Sequence, residues 1–366
     1  MLQQPPAQPA PSVSIPDSPS TVDVSIIDTT SYGSVNTSLV FDPHFPGHET
    51  FKFPSYAFLI THPHLNKHVL FDLGITKDWA RFLPPTSTQF IMEHMPFTAK
   101  RDVQEIIDED PGRLGVKTSD ITSVIWSHHH FDHRGDITSF PSSTELVLGP
   151  GFQNAFAPYY PANPTSTINE RELQGRPVRE LGGSDFTLRV GRFPAHDFFG
   201  DGSLYILNAP GHTVGHICAL ARLTSGPRPT FAFLGGDCAH HPGIFRPSLY
   251  LPLPCHLPHL TDSPPSDELF MHSLRNSIKS PAEPFFKANI GVNVDQPTAE
   301  ESVSAMQEFD AHEDVLVCVA HDASLLDCGI EFYPGKLNGW KELEKKGRVR
   351  KDRVTWSFCW DFDTSM

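Results

Sequence analysis

With 366 residues, 39% of them hydrophobic and 19% charged, the chain can bury a large core in one big α/β domain or two modest ones, and it has the make-up of a globular rather than a disordered or fibrous protein. A formal net charge of −15 argues against a nucleic-acid partner, because a phosphate backbone is bound through clustered Lys and Arg. No apolar run reaches the roughly 18 residues of a membrane span, and the first residues have neither the basic nor the apolar region of a signal peptide, so the expectation is a cytoplasmic protein without a membrane partner.

Residues 1–20 are rich in Pro, Gln and Ser and read as a flexible or polyproline tail; residues 21–366 read as a single domain. Val22 to Ile27 alternates and makes a first strand, running into a turn-rich stretch from Asp28 to Asn36. Tyr56 to Thr61 and His68 to Asp72 form a hairpin, with Asp72 at a strand tip where a carboxylate orients a ligand or caps a loop. Val103, Ile106 and Ile107 give a helical stripe that Pro111 and Gly112 stop. Ile121 to Trp126 reads as a buried strand, Thr144 to Leu148 as another, and Phe152 to Pro164 as a long loop whose Phe152, Phe156, Tyr159 and Tyr160 either line a pocket or pack in the core. Further strands fall at Ser203 to Leu207, Ile217 to Leu220, Thr230 to Leu234 and Val315 to Ala320, and a helix at Thr298 to Phe309. Residues 242–297 hold many prolines and a patchy helical pattern, for instance Asp267 to Ser277, and read as an insertion lying over the site. The strand-rich halves before and after about residue 200 look loosely alike. The basic run Lys345 to Arg353 reads as a solvated helix end. The six cysteines form no CxxC pair and mostly sit in apolar runs, as buried reduced thiols do.

The chemistry concentrates at the ends of these strands. SHHHFDHRGD, Ser127 to Asp136, places His128, His130, Asp132 and His133 just after a buried strand. In an extended segment His128, His130 and Asp132 share one face while His129 faces the other, and a bend after Asp132 brings His133 round. A chain with 20 histidines will set some side by side on a polar surface, but an incidental cluster would need neither the strand before it nor partners elsewhere. Such partners stand at other strand ends: His212 in NAPGHTVGH, Asp237 after Gly235 and Gly236, and His321 after Val315 to Ala320. Imidazoles and carboxylates of this kind suit Zn²⁺ or another borderline divalent cation, and they are too many for one open catalytic ion, which suggests two adjacent metals.

HHHFDH resembles the HxHxDH signature of the metallo-β-lactamase superfamily, and PGHTVGH, GGDC and VAHD resemble its later ligand motifs in the same order. The sequence looks most similar to the N-acyl homoserine lactonase-like branch and to fungal relatives that open small lactones and lactams. The resemblance implies an αββα sandwich in which His128, His130 and His212 hold one metal, Asp132, His133 and His321 the other, and Asp237 bridges them. It implies two Zn²⁺, with other divalent metals acceptable, and a hydrolase that opens a small lactone or lactam with hydroxide shared by the two ions. Asp132 would also relay a proton to the leaving group.

Two features depart from the lactonases. The third residue after Asp237 is His240 where that branch carries a tyrosine that helps hold the substrate carbonyl, so His240, or His241, takes that place or the metal alone serves. The gap from Asp237 to His321 is long, so residues 242–297 reshape the pocket, and a benzoxazolinone-type lactam or a fungal lactone fits as well as an acyl homoserine lactone. Cys238 is a weaker ligand than Asp237 on hard-ligand grounds. His216 reads as a hydrogen-bond partner of the ligands or a strand residue, and His129, His240, His241, His256 and His259 as surface or pocket-rim residues. The competing readings are a thioesterase of the glyoxalase II or polyketide-release type, with the same ligands, and a non-catalytic metal-binding scaffold. Oligomeric state is left open.

Overall fold

Strands that are apolar at every position rather than at alternate ones need cover on both faces. The computed structural model, which describes residues 7–42, 49–110, 114–253, 280, 282–289, 291–349 and 351–359, supplies it with two six-stranded sheets. The first contains β1 (Asp23–Ile27), β2 (Ala57–His62), β3 (Lys67–Phe71), β4 (Ile121–Ile125), β5 (Glu145–Leu148) and β6 (Val178–Glu180), side by side in chain order. β1, β2 and β3 pair antiparallel, and β3 to β6 pair parallel. The second contains β7 (Leu188–Val190), β8 (Phe193–Asp197), β9 (Leu204–Asn208), β10 (Ile217–Arg222), β11 (Phe231–Leu234) and β12 (Val315–Cys318), also in chain order. There only β11 and β12 run parallel. The loose likeness of the two halves corresponds to these two sheets.

Period-two alternation divides the side chains between cores. Val24, Ile26, Phe58, Ile60, Phe71 and Val147 from the first sheet meet Ile206, Ala219, Ala232, Leu234 and Leu316 from the second in one buried cluster. The opposite face of the first sheet, with Leu59, Leu70, Val124 and Leu146, packs under the helix Val103–Glu109 through Val103, Ile106 and Ile107. The outer face of the second, with Leu207, Leu220, Phe233 and Val317, packs under the helix Gln296–Asp310 through Ala305, Met306 and Phe309. The result is an αββα sandwich. Among the described residues no helix is long and apolar enough to cross a membrane.

Several local expectations change. Tyr32–Asn36 is a strand rather than part of a turn-rich stretch; it lies between Thr50–Pro54 and Phe97–Thr98 in a small third sheet. Gly33 makes that sheet possible, because a Cβ there would stand 2.5 Å from the Phe53 ring and 2.6 Å from the Phe97 ring. Phe152–Phe156 is a short helix, and Phe152 is buried with Phe156 and Tyr159 packed beside it, so these aromatics are core rather than cavity lining. Residues 7–20 do not hang free. A proline-rich extended segment cannot satisfy its own carbonyls, and here Pro11, Ser14 and Pro16 offer theirs to the His312 ring, the Gly191 N–H and the Arg222 guanidinium, while Val13 and Ile15 pack on the core. In the basic run, Lys351 turns inward to donate to the carbonyls of His312 and Val315, and burial pushes its ammonium down to about 8. Cys218, Cys238, Cys318 and Cys328 are free and buried. The helical pattern at Asp267 to Ser277, with His256 and His259, lies outside the described residues.

Candidate metal centre

β3, β4, β9, β11 and β12 all end at one edge of the sandwich, and each chain that leaves them carries a polar side chain back across it. After β4 the chain bends through Ser127, His128 and His129 to His130, whose backbone (φ −65°, ψ 150°) begins a single helical turn at Phe131–Arg134. Asp132 and His133 therefore reach the site from that turn and not, as the alternation suggested, from an extended strand followed by a bend. Gly135 closes the turn at φ +49°, where a Cβ would lie 2.5 Å from that of Leu73. Asp72, just past β3, holds a left-handed backbone at φ +60°, uncommon for a residue with a side chain. Its carboxylate accepts from the Ser127 N–H and hydroxyl, both at 2.7 Å, and from His133 Nδ1 at 2.8 Å. Asp72 therefore ties the Ser127 loop and the His133 ring together.

The seven side chains gathered from the strand ends converge as two groups, His128, His130, His212 and Asp237 in one and Asp132, His133 and His321 in the other. Within each group the potential ligand atoms lie within 4.8 Å of one another. Asp237 divides its carboxylate between them. Oδ2 lies 3.6 Å from both His128 Nε2 and His212 Nε2, while Oδ1 lies 3.2 Å from His133 Nε2 and 3.1 Å from His321 Nε2. Across the site His321 Nε2 is 3.6 Å from Asp132 Oδ2, and His130 Nδ1 faces His212 Nε2 at 3.1 Å.

Neighbours fix which ring nitrogen faces inward. A carboxylate only accepts, so Ser127 Oγ donates to Asp72 and must accept from His128 Nδ1, 3.0 Å away. His133 gives Nδ1–H to Asp72 and His321 gives Nδ1–H to the Pro54 carbonyl at 2.7 Å. In each ring the lone pair on Nε2 is left pointing at the site, the arrangement metal-binding histidines need. His128 Nε2, His133 Nε2 and Asp237 Oδ1 are buried without a hydrogen-bond partner. Buried polar atoms of this kind are costly alone, and their lone pairs facing one another are what a cation would satisfy, so the donor set fits the metals the sequence implied.

The electrostatics differ between the groups. Burial, reinforced by neighbouring imidazoles, holds His128, His130 and His212 well below the usual histidine range. Burial also opposes charge on His133 and His321, but there Asp237 and its companion carboxylates outweigh it and raise both. Burial raises Asp132, whereas His133 and His321 hold Asp237 well below the carboxylate range despite its burial.

His240 faces the site, its Nε2 3.4 Å from Asp237 Oδ2 and its ring 4.6 Å from that of His212; burial brings it down to about 4. His241 turns the other way, among the rings of Phe41, Phe51 and Phe286. His216 accepts the Asp237 N–H on Nε2 and donates Nδ1–H to the Ala209 carbonyl, so it props the aspartate's backbone. His129 packs against Phe156, with ring centroids 4.1 Å apart, and Cys238 belongs to neither group.

A cavity of about 470 Å³ opens onto His130, Asp132, His212, Asp237, His240 and His321. Its far walls are apolar: Val35, Phe51 and Phe53 come from the small third sheet, Phe90 and Met95 from and beyond the helix Pro85–His94, and Phe131 from inside the histidine motif. Val292 closes one side, so the stretch 242–297 does reach the site in its described part. The sequence reading missed the third-sheet wall, although Phe51 and Phe53 in TFKFP carry a period-two signal. It also missed Asn293, whose Oδ1 stands 3.1 Å from His212 Nδ1, and nothing local marks that residue.

An αββα sandwich with histidine–aspartate groups gathered at one edge defines a metal-dependent hydrolase. The family model described as "Metallo-beta-lactamase superfamily" matches residues 50–222. Metallo-hydrolase mfmC of Annulohypoxylon moriforme is 43% identical over 357 residues, covering 97% of this chain and 91% of that protein. Gamma-lactamase FDB1 of Fusarium pseudograminearum (strain CS3096) is 42% identical over 366 residues, covering 96% and 85%. A solved N-acyl homoserine lactone hydrolase, with the product N-hexanoyl-L-homoserine at its catalytic metal center, shares the fold at a TM-score of 0.55 and 15% identity, over 87% of this chain and 99% of its own. The chain belongs to the metallo-beta-lactamase superfamily.

Proposed function

We propose that the chain is a dinuclear metal-dependent hydrolase that opens a small cyclic ester or amide, a lactone or γ-lactam. The observation that carries this reading is the divided carboxylate of Asp237, with one oxygen toward each set of imidazoles. His128, His130 and His212 would hold one cation, Asp132, His133 and His321 the other, with Asp237 between; nitrogen and oxygen donors of this kind suit Zn²⁺. When bound, such a pair supplies Lewis acidity toward a carbonyl and lowers the pKa of water.

The chain's own residues account for the rest. Asp132, on the cavity wall, would pass a proton to the departing ring heteroatom. His240, down at about 4, is neutral near pH 7, and as a neutral donor on the cavity wall it can hydrogen-bond the ring carbonyl in place of the lactonases' tyrosine. Phe51, Phe53 and Phe131 give the ring an apolar seat that excludes water. Benzoxazolinone-type lactams and fungal lactones are substrates of the right size and polarity. The gamma-lactamase name of one relative and the lactone hydrolase with the same fold favour ring substrates over acyclic ones.

The test is turnover of a lactone, a γ-lactam and an acyl thioester by purified protein, with metal quantified in the same sample. Ring opening that is lost on chelation and in Asp132→Asn supports the proposal. Turnover of the thioester alone makes the protein a thioesterase, less than about one equivalent of metal with no turnover makes it a scaffold, and activity indifferent to chelation overturns the metal-dependent reading.

A further inference from the structure

We infer that a hydrogen-bond relay, Glu300 to Gln296 to Asn293, sets the tautomer and position of His212; the inference rests on the proposed role of His212 as a metal ligand. The polarity of the relay follows from its outer end. The Glu300 carboxylate can only accept, so the Gln296 amide, 3.0 Å away, donates from Nε2. The Gln296 oxygen is then turned to Asn293 and accepts from Asn293 Nδ2 at 2.9 Å. That leaves Asn293 Oδ1 as the atom facing His212, and it accepts Nδ1–H at 3.1 Å. The lone pair on His212 Nε2 is thereby committed to the site, toward His130 Nδ1 and Asp237 Oδ2. An amide turned the other way would offer Asn293 Nδ2 to His212 Nδ1, put the ring proton on Nε2 and spoil it as a ligand.

The relay is anchored as well as directed. The Val294 N–H donates to the His212 carbonyl at 3.0 Å and the Asp295 N–H to the Gly211 carbonyl at 2.9 Å, so the loop bearing Asn293 is bonded to the loop bearing His212. Asp295 then caps the helix Gln296–Asp310 by accepting from the Thr298 N–H. Gln296 and Glu300 sit four residues apart on that helix, the spacing at which side chains meet. Asp72 does the same work for His133 directly and for His128 through Ser127. Asn293, Gln296 and Glu300 are positioning residues for the proposed reaction, drawn from the long stretch between Asp237 and His321.

The experiment measures the affinity of each of two Co²⁺ equivalents, by competition with a chromophoric chelator, in the full-length protein and in Asn293→Leu, Asn293→Asp and Glu300→Ala. Asn293→Leu should weaken one equivalent by about 10- to 100-fold and leave the other unchanged, the usual cost of removing a partner behind a metal-binding histidine. Asn293→Asp, which keeps the acceptor, should restore affinity to within about threefold, and Glu300→Ala should weaken the same equivalent by a smaller factor. A merely structural role for Asn293 would neither select one equivalent nor be rescued by Asp. Unchanged affinities in Asn293→Leu, or equal loss at both equivalents, overturn the inference while leaving the proposed function standing. A parent protein that takes up less than one equivalent overturns both.

Discussion

His128, His130 and His212 sit where burial and mutual repulsion hold imidazole well below its usual range, whereas His133 and His321, on the other oxygen of the same aspartate, sit where carboxylates raise it. The first group presents lone pairs ready for a cation. In the second, a proton competes more strongly with a cation for those lone pairs. Two groups that look alike as a list of ligands are therefore unlike as metal traps, because Asp72 and Asp132 add negative charge around only one of them, beyond the Asp237 carboxylate that both share.

The sharpest way to break this comparison is to remove what the groups share. Asp237→Ala should drop metal content below one equivalent and cost on the order of 10³-fold in kcat/KM on whichever ring substrate is turned over, several kcal/mol of transition-state stabilisation. Metal analysis and kinetics on one sample check it; near-parental values would show that the carboxylate is not the link. Next in size is Asp72→Ala, which takes away the acceptor that orients His133 and should weaken the second group's cation by about 10- to 100-fold while sparing the first. Equal weakening of both would erase the distinction between the groups.

The pH dependence sharpens it further. Carboxylates raise His133 and His321, so loading of the second group should fall off first as pH is lowered, while the first group still fills. The same signs apply to metal-free stability. Groups raised on folding stabilise below the unfolded-state pKa of about 6.5 and lose that contribution as pH rises through the raised value. Groups lowered on folding, among them His129 at about 3, contribute fully above about 6.5 and lose stability as pH falls toward about 3. Paired titrations of Co²⁺ uptake and of melting temperature against pH read both; parallel loading curves would contradict the contrast. The smallest effect belongs to His240→Gln, which should lower kcat about tenfold with metal content unchanged, as loss of one hydrogen bond to the reacting carbonyl does.

What the sequence revealed and what it concealed follow from the same physics. Ligand-type residues at the mouths of buried apolar strands stand out, because nothing else explains a histidine or aspartate after runs such as Ile121 to Trp126 or Thr230 to Leu234. The strands were legible from their apolar runs, whereas the sandwich they build was legible only through the resemblance of HHHFDH and the later motifs to a known superfamily. Side-chain direction was not. Asp132 and His133 arrive from a helical turn that alternation could not foresee, and His240 and His241 are adjacent in sequence yet one faces the site and the other a cluster of phenylalanines. Tyr32–Asn36 hid behind Gly33 and its turn-forming neighbours, although that glycine serves a ring contact across a sheet. Asn293 lies in a proline-rich stretch, and only the fold brings it to His212.

The most direct test of the central claim is X-ray diffraction from Zn²⁺-loaded crystals at the zinc absorption edge. The account predicts two anomalous peaks, one among His128, His130 and His212 and one among Asp132, His133 and His321, with Asp237 between them. A single peak, or peaks that leave Asp237 on one metal only, would contradict it.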